Sequence, residues 1–305
     1  MRYIKLGKSD LQVPVIAIGC MRINGLDKQD AERFIQTALE GGANFFDHAD
    51  IYGGGTCEEI FAEAIHMNST VREKIILQSK CGIRSGMFDF SKEHILNSVD
   101  GILKRLKTDY LDVLLLHRPD ALVEPEEVAE AFDKLFSSGK VRNFGVSNQN
   151  PMQMQLLQKS LNQPIVANQL QFSITNASMI SAGIHVNMQD EAAIDRDGSV
   201  LDFCRLEDIT IQPWSPFQYG FFEGVFLDNE KFPQLNAKIN EIASNYGVAN
   251  TTIALAWILR HPAKMQPITG TMNTARLKDC IKAAEIYLTR EEWYDIYRAA
   301  GNILP

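Results

Sequence analysis

The chain has 305 residues, 45% of them hydrophobic and 22% charged, enough to bury a sizeable core without a long disordered segment. A formal net charge of -8 and a pI near 5.3 argue against general attraction to nucleic acid or a membrane surface. The five cysteines (Cys20, Cys57, Cys81, Cys204, Cys280) form no CxxC pair, the N-terminus lacks an apolar leader segment, and apolar runs such as Leu111–Leu116 are too short for a bilayer, so a reducing, cytoplasmic setting is expected.

Residues Arg2–Leu6 and Leu11–Val13 alternate around Gly7-Lys8-Ser9-Asp10, predicting a hairpin ahead of the main fold that could plug the bottom of a barrel. Apolar runs then alternate with helix-period segments. Strands are predicted at Val15–Gly19, Asn44–Asp47, Lys74–Lys80, Tyr110–His117, Val141–Ser147 and Ile165–Gln169, with helices at Lys28–Glu40, Cys57–Met67, Ser91–Leu106, Pro125–Ser138 and Pro151–Ser160. Further strands at Thr210–Pro213 and Met265–Ile268, with helices at Phe232–Tyr246, Thr251–His261 and Thr274–Glu285, bring the count to eight strand-helix units. The expected class is α/β, a (β/α)8 TIM barrel with a short N-terminal β-hairpin, as a single domain over residues 1–305.

An open doubly wound sheet is the alternative, and it usually carries GxGxxG after its first strand. Here that strand leads into Gly19-Cys20-Met21-Arg22. Gly53-Gly54-Gly55 lacks the Lys-Ser/Thr of a phosphate loop and reads as a flexible turn.

In a barrel, reacting groups gather at the C-terminal strand ends, where the βα loops share one mouth. Asp47, Lys80 and His117 end three successive predicted strands, and Tyr52 follows Asp47 closely. These types suit hydride addition to a carbonyl. Tyr52 would give the proton that the incipient alkoxide needs, although a phenol with a pKa of about 10 needs help near neutral pH. Lys80 would stabilise the phenolate, Asp47 would orient Lys80, and His117 would polarise the carbonyl oxygen. Taken singly, each residue has an ordinary structural explanation; four suitable types at successive strand ends do not.

At these residues the sequence resembles the aldo-keto reductases over nearly its whole length. Phe46-Asp47-His48-Ala49-Asp50-Ile51-Tyr52-Gly53 is similar to the family's Asp-Thr-Ala-x-x-Tyr-Gly, Ser79-Lys80 to its lysine strand, and Leu114-Leu115-Leu116-His117 to its histidine strand. The resemblance implies a catalytic tetrad of Asp47, Tyr52, Lys80 and His117. Gly145-Val146-Ser147-Asn148 and Asn168-Gln169 are similar to segments that bind the nicotinamide amide, implying Ser147, Asn148 and Gln169 for that role. Trp214-Ser215-Pro216 takes the place of Tyr-Ser-Pro, whose aromatic ring stacks on the nicotinamide, and the loop through Ser215, Phe217 and Gly220 would meet the pyrophosphate.

Gly270, Thr271 and Arg276 match the adenosine-phosphate segment, which favours NADPH over NADH as cofactor. Departures are His48 for Thr, Trp214 for Tyr, Asp279-Cys280 for Glu-Asn, and Gly270 where some members carry lysine.

The implied function is NADPH-dependent reduction of a small-molecule carbonyl compound, an aldehyde or activated ketone, with no metal, nucleic acid or membrane partner and a monomer as default. The alternative is an NADPH-binding redox sensor with slow turnover. His48 and Arg118 could each touch substrate or satisfy nearby carbonyls. His66, His94, His185 and His261 are expected at the surface or as caps, and Cys81 in the core. The stretch from Ser173 to Val200 is expected to shape the substrate pocket.

Overall fold

The computed structural model describes all residues, Met1–Pro305. Eight parallel strands form the barrel: β1 Ala17–Gly19, β2 Phe45–Asp47, β3 Ile76–Cys81, β4 Leu111–Leu116, β5 Val141–Ser147, β6 Ile165–Gln171, β7 Thr210–Trp214 and β8 Ile268–Thr269. They lie in chain order from β1 to β7, with β8 beside β1. Between β7 and β8 the ring is joined by the Gln266 N–H, which donates to the Ile211 carbonyl at 3.0 Å. Strands buried on both faces read as continuous apolar runs, and all six residues of β4 are buried.

Helices cover the outside. Helix α1 (Lys28–Glu40) starts at Asp27, whose side chain accepts the Asp30 N–H, and buries Ala31, Phe34, Ile35 and Ala38 on one stripe. Helix α2 (Thr56–Ala64) follows β2, and α3 (Lys92–Leu106) follows β3 after a Ser91 cap. Helices α4 (Pro125–Ser137) and α5 (Pro151–Gln158) each place proline in the first turn, where no N–H is missed.

Several elements differ from expectation. The helix predicted over Thr274–Glu285 ends at Lys282 and tightens into a 3-10 turn over Ala283–Glu285. The last strand sits at Ile268–Thr269 rather than Met265–Ile268. Helices at Ser178–Ile184, Val200–Leu206 and Arg290–Ala299 were not anticipated. The first two are only seven residues each, too short for a clear apolar period, and the third carries a Thr289/Glu292 capping box.

The hairpin pairs Tyr3–Lys5 with Gln12–Pro14. It delivers Leu6 and Val13 to a ten-residue cluster inside the barrel with Ala17, Phe45, Ile76, Val113, Leu115, Val166, Ala167 and Ile268. Burying each of these two side chains is worth about 1.5–3 kcal/mol. Its turn demands glycine: Gly7 has φ +52, and a Cβ there would lie 2.3 Å from the Val166 carbonyl oxygen. The hairpin thus closes the floor, leaving the C-terminal strand ends as the open mouth.

Candidate active site

Asp47 ends β2 and Lys80 lies on β3, both facing into the barrel. The Lys80 ammonium donates to Asp47 Oδ1 at 2.9 Å, to Oδ2 at 2.8 Å and to the His48 carbonyl at 2.6 Å, and its side chain is wholly buried. Burial disfavours the Lys80 charge, but Asp47 and Tyr52 more than offset this and hold it above the ordinary lysine value.

Tyr52 is brought over this pair by the chain beyond β2. The Asp50 N–H donates to the Lys80 carbonyl and the Tyr52 N–H to the Ala49 carbonyl, both at 3.0 Å. Gly53, Gly54 and Gly55 then take φ of +58, +64 and +97 before α2 begins. A Cβ at Gly53 would lie 2.6 Å from Thr56 Oγ1. The triplet is therefore a left-handed run that glycine adopts at little cost, a defined turn carrying the chain from Tyr52 into α2. Lys80 Nζ lies 4.9 Å from the Tyr52 ring centroid.

Burial pushes the Tyr52 phenol above its usual value, and Lys80 opposes this without overcoming it. The depression expected from Lys80 is thus outweighed by burial. The cation limits the rise that burial alone would produce.

His117 follows β4 and meets Tyr52 edge to face, with ring centroids 5.9 Å apart. Burial, with Lys80 and Arg118 nearby, drives the imidazole well below its ordinary value, so it is neutral near pH 7 and can donate from one nitrogen only. His48 points away from this group. It is buried against Phe61, its ring nitrogens have no partner, and burial holds it down to about 3. Arg118, half-buried, sets its guanidinium 5.5 Å from the Trp214 ring centroid.

A layer of amides beneath Asp47 escaped the sequence reading. Gln78, two residues before Lys80 and on the same face of β3, donates from Nε2 to Asp47 Oδ1 at 2.7 Å and to Gln212 Oε1 at 2.9 Å. Gln212 Nε2 donates to Gln78 Oε1 at 3.1 Å and to Gln266 Oε1 at 2.9 Å, and Gln266 Nε2 donates to the Pro14 carbonyl at 2.7 Å. Gln78, Gln212 and Gln266 are each fully buried. Their sequence signal is a polar residue at an inward position of an otherwise apolar strand.

The residues implied for the nicotinamide amide lie together. Ser147 Oγ donates to the Gln169 carbonyl at 3.1 Å, Asn148 Nδ2 donates to Ser147 Oγ at 2.7 Å, and the Trp214 indole N–H donates to Asn148 Oδ1 at 3.1 Å. Asn148 and Ser215 both hold positive φ, of +58 and +53, the kind of backbone strain that gathers at functional sites. Gln169 Nε2 donates to Asp47 Oδ1 at 3.2 Å, which leaves its Oε1 free to accept an amide N–H. Phe222, on the loop past Gly220, stacks on Trp214 with centroids 5.8 Å apart. Phe217 packs partly buried against the core, and the Gly220 carbonyl accepts from Gln171 at 2.6 Å.

Across the mouth, Thr271 Oγ1 accepts the Asn273 N–H, and Asn273 caps the helix that carries Arg276. A residue not singled out before stands here. Arg22, after β1, donates from Nε to the Gly270 carbonyl at 3.1 Å, and from Nη2 to the same oxygen. Cys280 is buried and takes the Thr269 hydroxyl at 3.3 Å, so it faces the core rather than the mouth.

One other expectation changes and one holds. His185 is buried rather than at the surface, with its ring nitrogens 2.8 Å from Asp190 Oδ2 and 2.9 Å from the Ile303 carbonyl. Cys81 is buried in the strand-helix core, as alternation along β3 requires. No helix is long and apolar enough to cross a membrane.

The family description "Aldo/keto reductase family" matches residues 15–300. The chain is 36% identical to "Uncharacterized oxidoreductase YcsN" of Bacillus subtilis, covering 100% of both chains. It is 32% identical to a "6-dehydroglucose reductase" of Agrobacterium fabrum over 95% of each. Among solved structures, it superposes on the thermostable aldo-keto reductase Tm1743, determined with the inhibitor epalrestat, with a TM-score of 0.78 at 28% identity, covering 98% of this chain and 100% of that one.

Proposed function

From the premise that the chain belongs to the aldo/keto reductase family, we propose that it is an NADPH-dependent reductase of small carbonyl compounds, with Tyr52 as proton donor. The observation that carries this reading is the meeting of Tyr52 and His117 over the buried Lys80–Asp47 pair at the barrel mouth. When bound, the reduced nicotinamide supplies the hydride for the carbonyl carbon.

The chain's own groups handle the oxygen. Neutral His117 donates one hydrogen bond to the carbonyl oxygen and helps fix its place beside Tyr52. Tyr52 gives up its hydroxyl proton to that oxygen as charge develops, and Lys80 stabilises the phenolate left behind until solvent returns a proton. Asp47 keeps the ammonium in register. Oxidation of an alcohol is the same path reversed.

For the cofactor, the free Gln169 Oε1 and the Ser147–Asn148 pair suit a carboxamide, and Trp214 offers a flat face once Phe222 moves aside. Ser215, Phe217 and Gly220 border a pyrophosphate position. Thr271, Arg276 and Arg22 beside Gly270 supply hydroxyl and guanidinium donors for a ribose phosphate, which supports NADPH. Similarity to 6-dehydroglucose reductases makes sugar-derived aldehydes a sensible part of any substrate panel.

The test is NADPH oxidation with a panel of aldehydes, dicarbonyls and sugar-derived aldehydes, for the native protein and Tyr52→Phe. Turnover that disappears in the variant while NADPH still binds is the expected result. Binding without turnover of any carbonyl would replace this reading with that of an NADPH sensor.

A further inference from the structure

The amide layer beneath Asp47 has its polarity fixed at both ends. The Pro14 carbonyl can only accept, so Gln266 must turn its Nε2 toward it and its Oε1 toward Gln212. Gln212 must then present Nε2 to Gln266, and the same nitrogen reaches Gln78 Oε1. That leaves Gln78 with Nε2 aimed at Asp47 Oδ1. Rotating any one amide by half a turn would set oxygen against oxygen in a place closed to water.

The chain therefore runs from the floor to the catalytic pair with one possible orientation. Strand register supports it: Asp47 is paired with Gln78 across β2 and β3, and Gln169 with Gln212 across β6 and β7. Asp47 Oδ1 consequently accepts from three donors, Gln78, Lys80 and Gln169. An apolar core would pack at least as well here. Three fully buried glutamines carry a desolvation cost that only a complete network offsets.

We propose that Gln78 is a positioning residue for the carbonyl-reducing machinery, and that Gln78, Gln212 and Gln266 form an oriented amide relay fixing the plane of Asp47 and hence the place of the Lys80 ammonium against Tyr52. The inference rests on the function proposed above for those four side chains. Loss of the Gln78 donor leaves Asp47 Oδ1 with two of its three donors, Lys80 and Gln169, so the carboxylate plane is less firmly held and Lys80 shifts away from the phenol. Tyr52 then gives and accepts its proton at higher pH than before.

The test compares Gln78→Leu, Gln212→Leu and Gln266→Leu with the native protein in thermal stability, NADPH dissociation constant, and kcat and KM across pH. Expected is a fall in kcat of about 10- to 100-fold for Gln78→Leu, the size that misplacement of a catalytic group produces. KM and the NADPH constant should stay within about twofold, a change too small to reflect a lost binding contact. The Tyr52 limb of alcohol oxidation should move to higher pH, most for Gln78, less for Gln212 and least for Gln266. Three variants losing stability alike with an unmoved limb would overturn the relay.

A readout independent of turnover separates this inference from the reaction itself. In protein labelled with 13C at the tyrosine Cζ, the Tyr52 resonance, assigned by its loss in Tyr52→Phe, should shift in Gln78→Leu while the other seven of the eight tyrosines stay in place. A native protein without carbonyl turnover but with that shift would sink the reaction and keep the relay. An unmoved Tyr52 signal in a folded Gln78→Leu would sink the relay alone.

Discussion

Asp47 grips Lys80 through both carboxylate oxygens, at 2.9 and 2.8 Å, in a place that water does not reach. Such a pair adds little net stability as a unit, yet removing one member strands the other as an uncompensated buried charge. Lys80→Met should therefore lower unfolding free energy by about 3–5 kcal/mol and abolish turnover. The double variant Asp47→Asn with Lys80→Met should recover part of the stability and none of the activity. Urea denaturation of both variants and the native protein checks this; equal stability of the single and double variants would show that the charges are not coupled.

His48 makes the fold sensitive to acid. Its folded value of about 3 lies below the ordinary 6.5, so below pH 6.5 the unfolded chain binds a proton that the folded chain refuses. Stability present above that pH is lost as pH falls, by about 1.4 kcal/mol per unit. Asp50, held up to about 6 mainly by burial and secondly by Glu58, acts in the opposite sense between pH 4 and 6, so the comparison must be between variants. The difference in stability between the native chain and His48→Thr should widen against the native chain from pH 7 to pH 5. A parallel pair of curves would remove His48 as the cause.

His185 lies between two acceptors, the Asp190 carboxylate and the Ile303 carbonyl. A neutral imidazole has one N–H and satisfies only one of them, so both bonds together call for the protonated ring. Its folded value is raised, chiefly by the Asp190 hydrogen bond. This contribution is complete below the ordinary value of 6.5 and disappears as pH rises through the folded value. Hydrogen exchange at residues 300–305 should accelerate with pH beyond the intrinsic chemical rate, and His185→Gln should erase that excess.

Arg276 makes no hydrogen bond within the chain through its guanidinium, and Arg22 spends only two of its five N–H groups on Gly270. If these groups meet the ribose phosphate, Arg276→Ala should weaken NADPH binding about 10- to 100-fold, the value of one or two charged hydrogen bonds. NADH, lacking that phosphate, should change much less. Arg22→Ala should show the same direction with a smaller ratio. Calorimetric titration with both cofactors distinguishes them, and equal losses for NADPH and NADH would place these arginines elsewhere on the dinucleotide.

The barrel is legible because strand and helix periods alternate cleanly through Gln169, and the strand-end rule then selects Asp47, Lys80 and His117 directly. For Gly53–Gly55, composition reports only freedom, whereas the three positive φ values and the Thr56 hydroxyl, which donates to the Gly53 carbonyl at 2.7 Å, give the turn a defined conformation. Gln78, Gln212 and Gln266 were invisible for a different reason. Each is a lone polar residue in an apolar strand, and only closure of the ring shows that three such residues from β3, β7 and the approach to β8 face one another. The helix at Arg290–Ala299 could have been found from its capping box.

The floor hairpin sets an order on folding. Arg2 donates to the Ala284 carbonyl at 2.7 Å, and the Pro14 carbonyl takes the amide of Gln266, contacts separated by 282 and 252 positions in the chain. A ribosome releases the first residues long before their partners exist, and closing loops of that length is slow. The hairpin can pair with itself early, but Arg2 and Pro14 must wait for Ala284 and Gln266, and the mouth at the far end acquires its fixed geometry only when these distant segments meet.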